Sequence, residues 1–138
     1  MDDHKIDIYV RLSETDAMGH INNVSYFHYF EEARTKFLED VLGKRDAVNG
    51  FILASTGCDY ISQAYAFEVL EIQTHVVKIG TKSVTLGHTL INPKTDEVIS
   101  KATAVIVCFN YEDQRTTTIP NDVRGKLAEK SLSQVNGR

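Results

Sequence analysis

Residues 24–42 read VSYFHYFEEARTKFLEDVL, and their pattern predicts the one long helix of the chain. Apolar residues recur here at spacings of three and four, which is the period of one face of an α-helix. The members of this stripe are Phe27, Phe30, Ala33, Phe37 and Val41, widened by Leu38 and Leu42. Asn22 or Asn23 can cap the start of the helix, and Gly43 suits the left-handed position after its end. We therefore expect a helix from about Val24 to Leu42 with one buried face.

On both sides of this helix the sequence alternates between apolar and polar residues, as half-buried strands do. The first alternating run has its apolar positions at Ile6, Ile8, Val10 and Leu12. Four longer strand-like runs cover residues 51–62, 68–79, 82–91 and 98–109, and a short helix begins at Pro120. Strands that are joined by short loops pair antiparallel. The predicted fold class is therefore α+β, an antiparallel sheet with one long helix on one face.

Composition and charge exclude several classes of protein. The chain has 138 residues, the size of one domain, so we expect residues 1–138 to form a single unit. A net charge of −4 argues against a nucleic-acid partner. Cys58 and Cys108 have no metal-ligand spacing, so we expect free thiols and no metal site. With no signal-peptide pattern and no apolar run of about 20 residues, we expect no membrane span and a cytoplasmic location.

Between the first strand and the helix lies the segment Thr15-Asp16-Ala17-Met18-Gly19-His20-Ile21-Asn22-Asn23. The first N–H groups of a helix have no acceptor inside it and carry positive partial charge, so they can hold a developing oxyanion. A carboxylate, that of Asp16, precedes this site by a few residues. The residues alone leave a second interpretation open, in which Asp16 caps a turn and the asparagines cap the helix.

Several motifs along the chain resemble the 4-hydroxybenzoyl-CoA thioesterase-like family of hotdog-fold acyl-CoA thioesterases. They are Val10-Arg11, the segment 15–23, Tyr26, Glu32-Ala33-Arg34, Ile79-Gly80-Thr81-Lys82-Ser83 and Ile119-Pro120. The resemblance implies the hotdog fold, in which an antiparallel sheet wraps around one long central helix. It also implies hydrolysis of an acyl or aroyl thioester of coenzyme A or acyl carrier protein. Coenzyme A or pantetheine then enters as part of the substrate, and no cofactor is expected.

The resemblance also assigns roles by position. Asp16 matches the catalytic carboxylate, as nucleophile or general base, and the backbone N–H of Asn23 matches the group that polarises the thioester carbonyl. His20 and Asn22 match positions that shape the catalytic site. We expect Tyr26 to line the acyl pocket, and the turn Gly80-Thr81-Lys82-Ser83 to meet the phosphates of the substrate. One departure is Phe67-Glu68, which stands where many relatives have a glycine and an acid.

Other interpretations remain open from the sequence. Some hotdog thioesterases carry their catalytic acid on the central helix, where this chain has Glu31 and Glu32. A non-catalytic acyl-binding module would keep the fold without needing Asp16. A hotdog dehydratase or hydratase would need a histidine beside an acid, and His20 is the local candidate.

The strand at residues 98–109 is apolar on both faces, although one helix covers only one face of a sheet. We therefore expect a homo-oligomer, a dimer at least. The family resemblance implies a tetramer of two dimers, with active sites at the dimer interface.

Overall fold

The computed structural model describes residues 4–44 and 50–131, and its elements follow the predicted order. The strands are β1 (His4–Tyr9), β2 (Phe51–Tyr60), β3 (Val69–Ile79), β4 (Ser83–Asn92), β5 (Glu97–Asn110) and β6 (Arg115–Thr116). The helices are α1 (Asn23–Leu42) and α2 (Asn121–Ala128), with a 3₁₀ turn at Leu12–Glu14.

The strands pair antiparallel in the order β1-β3-β4-β5-β2, and the short β6 pairs with β5. This order places β1 at one edge of the sheet and β2 at the other. The predicted α+β class is therefore confirmed.

Helix α1 begins and ends where its capping residues predict. The side chain of Asn22 accepts a hydrogen bond from the Ser25 N–H at 2.9 Å, and Gly43 has a φ of +88°. The buried face differs from the predicted stripe, because Tyr26 and Tyr29 are buried whereas Phe27 is 39% exposed. Tyr29 can be buried because its hydroxyl donates to Glu14 at 2.9 Å, a long-range partner that apolar periodicity does not reveal.

The core divides along α1 into two clusters. The first half of the helix packs against β1, β3 and the segment before the helix, through residues such as Ile8, Val10, Ile21 and Leu70. The second half packs against β4, β5 and α2, through residues such as Val84, Ile106 and Leu127. The start of α1 is thus fixed against the strand ends that carry the Asp16 loop.

The first strand is shorter than the alternation predicts. β1 ends at Tyr9, and Leu12, expected on its buried face, is 64% exposed in the 3₁₀ turn. Glu14 ends the extended run because its carboxylate accepts from the Arg11 N–H at 2.9 Å. The prediction that Leu12 is buried on the inner face of β1 is therefore wrong.

The two faces of β5 differ in burial. Its inner residues are buried, namely Ala102, Ala104, Ile106 and Cys108. On the outer face Thr103 is exposed, whereas Val105, Val107 and Phe109 are half-buried. A single chain thus covers one face of this strand. Coverage of the other face by a second subunit remains a prediction.

Both cysteines are free thiols, as expected.

A buried histidine lies in the sheet beneath α1. His88 on β4 is 2% exposed, its Nδ1 lies 2.8 Å from the Thr74 hydroxyl, and its ring stacks on Phe30. Burial, assisted by the charges of Arg34 and His75, lowers the pKa of His88 to about 3. The fold therefore holds this imidazole neutral.

We expect this histidine to destabilise the fold in acid. The unfolded chain protonates His88 near pH 6.5, whereas the folded chain keeps it neutral until about pH 3. Between these values the unfolded state binds one more proton than the folded state. The unfolding free energy should therefore fall by about 1.4 kcal/mol for each unit by which the pH is lowered. Urea unfolding of His88→Gln between pH 6 and pH 4 should show a flatter decline than wild type. His75→Gln is the matched control, and equal slopes in all three proteins would contradict the prediction.

Candidate active site

The segment before α1 folds into a loop that closes on itself. The Asp16 N–H donates to the His20 carbonyl at 2.8 Å, and the Gly19 N–H donates to the Asp16 carbonyl at 3.0 Å. Gly19 has a φ of +84°, a conformation that glycine adopts without steric cost. The loop therefore has a defined shape set by its own backbone.

The carboxylate of Asp16 is exposed and only half engaged. Its Oδ1 accepts hydrogen bonds from the Met18 N–H at 2.9 Å and the His20 N–H at 3.2 Å. Within residues 4–44 and 50–131, nothing bonds to Oδ2. The turn-capping interpretation of Asp16 is thus correct for one oxygen. The same hydrogen bonds orient the side chain and leave the other oxygen available for chemistry.

Helix α1 starts directly after this loop. Asn22 is the N-cap, and Asn23 is the first helical residue and is exposed. No acceptor for the Asn23 N–H lies within the described part of the chain, and the helix dipole makes this group electropositive. The loop thus carries a free carboxylate oxygen on one side and leads into a free N–H group on the other.

A cleft of about 150 Å³ opens beside Asn23. Its wall includes Tyr26 and Tyr60, whose ring centroids lie 4.9 Å apart. The Tyr60 hydroxyl donates to the Asn23 carbonyl at 3.2 Å, which ties β2 to the first turn of α1. Burial, with smaller contributions from Cys58 and Tyr60, raises the pKa of Tyr26 to about 12. Tyr26 is therefore a neutral wall of this cleft, and its contact with an acyl chain stays a prediction.

Three residues that sequence reasoning missed support the loop. Glu14 accepts from the Tyr29 hydroxyl, and its carbonyl accepts from the Asn22 N–H at 3.0 Å. Burial, with the Glu14 hydrogen bond, raises the pKa of Tyr29. On the other side, the His20 ring packs edge-to-face on Tyr65 with centroids 4.9 Å apart. These partners are distant in sequence, so local patterns carried no signal for them.

The expected phosphate-binding turn lies far from Asp16 within one chain. The Asp16 loop meets the start of β3, whereas Gly80-Thr81-Lys82-Ser83 follows its end, about 33 Å away along eleven residues. The Gly80 N–H already donates to the Ser83 carbonyl at 2.7 Å. Arg124 donates to the Gly80 and Thr81 carbonyls at 2.9 and 3.1 Å. One protomer therefore does not bring these expected substrate-binding residues to Asp16.

Glu31 and Glu32, the two candidate acids on the central helix, are exposed and ion-paired. Glu32 lies 2.6 Å from the Lys36 ammonium, and Glu31 lies 3.8 Å from the Arg34 guanidinium. Both pairs are local to α1, as expected for a solvated helix face. The choice between these two residues and Asp16 as the catalytic acid stays a prediction.

In the part of the chain that the structure describes, no three His, Cys, Asp or Glu side chains are grouped to hold a metal ion. Over the same residues, no helix is both long enough and apolar enough to span a bilayer.

Comparison with known proteins identifies the family. A sequence model of the thioesterase-like superfamily matches residues 10–127. The chain belongs to the thioesterase-like superfamily. This membership covers the Asp16 loop, α1 and the whole main sheet from the end of β1 onward.

Of three relatives of this thioesterase-like chain, two are named as thioesterases, and the first, YsmA, has no assigned function. The protein YsmA of Bacillus subtilis is 38% identical over 80 residues, which cover 57% of this chain and 54% of YsmA. The long-chain acyl-CoA thioesterase FadM of Escherichia coli is 26% identical, covering 88% of this chain and 95% of FadM. The structure of a predicted thioesterase from Bacillus stearothermophilus is similar with a TM-score of 0.85 and 29% identity, covering 93% of this chain and 96% of that one.

The sequence predictions of family, hotdog fold and enzyme class are thereby confirmed, and the protein is a thioester hydrolase. The roles of individual residues, Asp16 and the Asn23 N–H among them, stay predictions.

Proposed function

We propose that this thioesterase hydrolyses acyl thioesters of coenzyme A or acyl carrier protein to a free acid and a thiol, with Asp16 as the catalytic carboxylate. The observation that carries the proposal is the half-engaged carboxylate of Asp16 in a loop that leads into the free Asn23 N–H at the start of α1. The named activity of FadM, a long-chain acyl-CoA thioesterase, supports the substrate class.

The proposed chemistry uses both groups on one carbonyl. The thioester carbonyl oxygen accepts a hydrogen bond from the Asn23 N–H. This bond stabilises the negative charge that develops on the oxygen. In one route, Oδ2 of Asp16 attacks the carbonyl carbon, the C–S bond breaks with release of thiolate, and water hydrolyses the resulting anhydride. In the other, Asp16 takes a proton from a water molecule, that water attacks the same carbon, and the C–S bond then breaks to release the thiol and the free acid. A thiol, with a pKa of about 8.5, leaves without help from a strong general acid.

The proposal is tested by offering purified protein a panel of acyl- and aroyl-CoA thioesters and measuring thiol release. We expect turnover of at least one class, and acyl carrier protein thioesters form a second arm. Absence of thiol release from every compound would contradict the proposal.

The alternative functions predict different results. An acyl-binding module would bind these thioesters without releasing thiol. A hydratase would add water to an enoyl-CoA, and a dehydratase would do the same in the reverse of its reaction. Either activity is measured as a loss of the absorbance of the enoyl group. Against the latter, the His20 ring packs on Tyr65, and Asp16 contacts the backbone of His20 rather than its imidazole.

The predicted oligomer is supported by an open sheet edge. Among the described residues, β2 pairs only with β5, and the middle of this strand, residues 53–57, is exposed. Between β2 and α1 lies a cleft of about 350 Å³ lined by Arg34, whose side chain is only 11% exposed, and by Leu53. Open edges of this length are normally covered, so we propose that a second copy pairs along β2.

A two-fold dimer of this kind would also complete the site. A strand that pairs with its own copy about a two-fold axis runs antiparallel to it, so the Tyr60 end of one β2 lies beside the Phe51 end of the other. Phe51 pairs with Cys108, whose N–H donates to the Lys82 carbonyl. The end of the partner's sheet that carries its turn 80–83 would thus lie beside the end of the first protomer's sheet that carries Asp16. The tetramer and the cytoplasmic location stay predictions.

We expect Leu53→Asp to give a folded monomer, because Leu53 is 44% exposed on the open edge and a buried carboxylate there opposes pairing. Light scattering after size exclusion should show wild type as a dimer or tetramer and the variant as a monomer with little activity. Val77→Asp, at a 52% exposed strand residue away from this edge, is the control and should keep the β2 pairing. A monomeric wild type would contradict the proposal.

A further inference from the structure

The turn before β3 holds a bulky residue in a conformation that favours glycine. The Glu68 N–H donates to the Tyr65 carbonyl at 3.3 Å, and Phe67, the third residue of this turn, has a φ of +75°. A positive φ at the third position is the geometry of a type II turn, where glycine is strongly preferred. For an aromatic residue this conformation is strained.

The surrounding hydrogen bonds hold Phe67 in this conformation. Its N–H donates to the Val10 carbonyl at 2.7 Å, and the Val10 N–H donates to the Glu68 carbonyl at 3.0 Å. The Glu68 carboxylate accepts from the Tyr65 N–H at 2.6 Å and from the Asn92 amide at 3.0 Å. These bonds use the backbone of Phe67 or groups of its neighbours, and none of them uses the Phe67 ring.

The ring of Phe67 contributes little to the fold, since it is 63% exposed. Burial therefore does not offset the backbone strain, and a glycine would make the same turn without strain. Strain that persists without a gain in stability is characteristic of positions that serve function.

This turn is joined directly to the Asp16 loop. The Ala66 N–H donates to the Gly19 carbonyl at 3.3 Å, and Tyr65 packs on His20. Two other apolar side chains of these joined turns are also exposed, Met18 at 77% and Tyr65 at 47%. An exposed apolar surface thus lies beside the proposed catalytic carboxylate.

We propose that Phe67 is a specificity-determining residue that contacts the apolar acyl chain of the thioester and favours long chains over short ones. The inference rests on the proposed function. A hydrocarbon chain is the part of an acyl thioester that gains free energy by covering an exposed aromatic ring.

Two variants separate the ring from the strain. Phe67→Gly removes both, whereas Phe67→Ala removes the ring and keeps the positive φ. We expect both variants to raise KM for dodecanoyl-CoA about tenfold, because each loses much of the contact that one apolar side chain makes with the acyl chain. Hydrolysis of acetyl-CoA should be unchanged in both. Only Phe67→Gly should raise Tm, by about 3 °C, because only glycine relieves the strain.

Gln114→Gly is the matched control. Gln114 also has a positive φ, +53°, in an exposed turn, but its side chain is polar and offers no aromatic surface to an acyl chain. Its replacement should leave the dependence of KM on chain length as in wild type.

The proposal is overturned if both Phe67 variants keep the wild-type dependence of KM on chain length, or if they lose activity equally for acetyl- and dodecanoyl-CoA. Failure of the proposed function is distinguishable, because wild type would then release no thiol from any chain length.

Discussion

Replacing Asp16 by asparagine is expected to lower kcat about 10³-fold while leaving the fold intact. A positioned carboxylate that attacks a carbonyl or activates water typically contributes 10²–10⁴-fold to the rate. Asparagine keeps an oxygen that can accept from the Met18 and His20 N–H groups, so the loop should retain its shape. The variant removes the charge and nucleophilicity of Oδ2 alone. KM for an acyl-CoA should change little, because no substrate contact is removed.

Thiol release under saturating acyl-CoA measures this effect, and Tm checks the fold. Glu31→Gln and Glu32→Gln are the matched controls, since these exposed acids on α1 are the rival catalytic groups. Both should keep kcat near that of wild type. Wild-type kcat in Asp16→Asn, or loss of activity in either control instead, would show that the catalytic carboxylate is misassigned.

Replacing Asn23 by proline is expected to lower kcat about 10²-fold, because proline lacks the N–H that would hold the oxyanion. Proline is well tolerated at the first position of a helix. The preceding residue, Asn22, has φ −75° and ψ 155°, which is the extended conformation that proline requires before it. The Asn23 carbonyl that Tyr60 contacts is kept.

The control for this variant is Asn23→Ala, which keeps the N–H and removes the side chain. Its kcat should stay within about threefold of wild type, well short of the loss for an oxyanion donor. The far-ultraviolet circular dichroism of both variants reports whether α1 is intact. Equal activity of the proline and alanine variants would exclude the Asn23 N–H as an oxyanion donor.

The parts of the fold that depend on local sequence could be predicted. Asn22 and Gly43 act at the two ends of α1 because capping is a short-range interaction. The burial of Tyr29 in place of Phe27 could not be predicted, because it depends on a hydrogen bond to Glu14, fifteen residues earlier in sequence. The prediction for Leu12 is wrong for a different reason. The Glu14 carboxylate binds the Arg11 N–H three residues earlier and turns the chain, a local interaction that apolar alternation does not reveal.

The candidate site divides in the same way. The Asp16 loop and the helix start adjoin in sequence, so their neighbourhood could be predicted. Tyr60 and Tyr65 reach the site from elsewhere in the chain through sheet topology, and no local pattern indicates them. The turn at 80–83 has a local signature, but its distance from Asp16 follows from the length of β3.

A crystal structure with an acyl-CoA analogue, in which a methylene replaces the thioester sulfur, tests the central claim most directly. The account predicts that the ketone oxygen lies within about 3 Å of the Asn23 nitrogen. It also predicts that Oδ2 of Asp16, or a water molecule bonded to it, faces the carbonyl carbon. A ketone bound instead beside Glu31 or Glu32, with Asp16 still engaged only in its turn, would contradict the account.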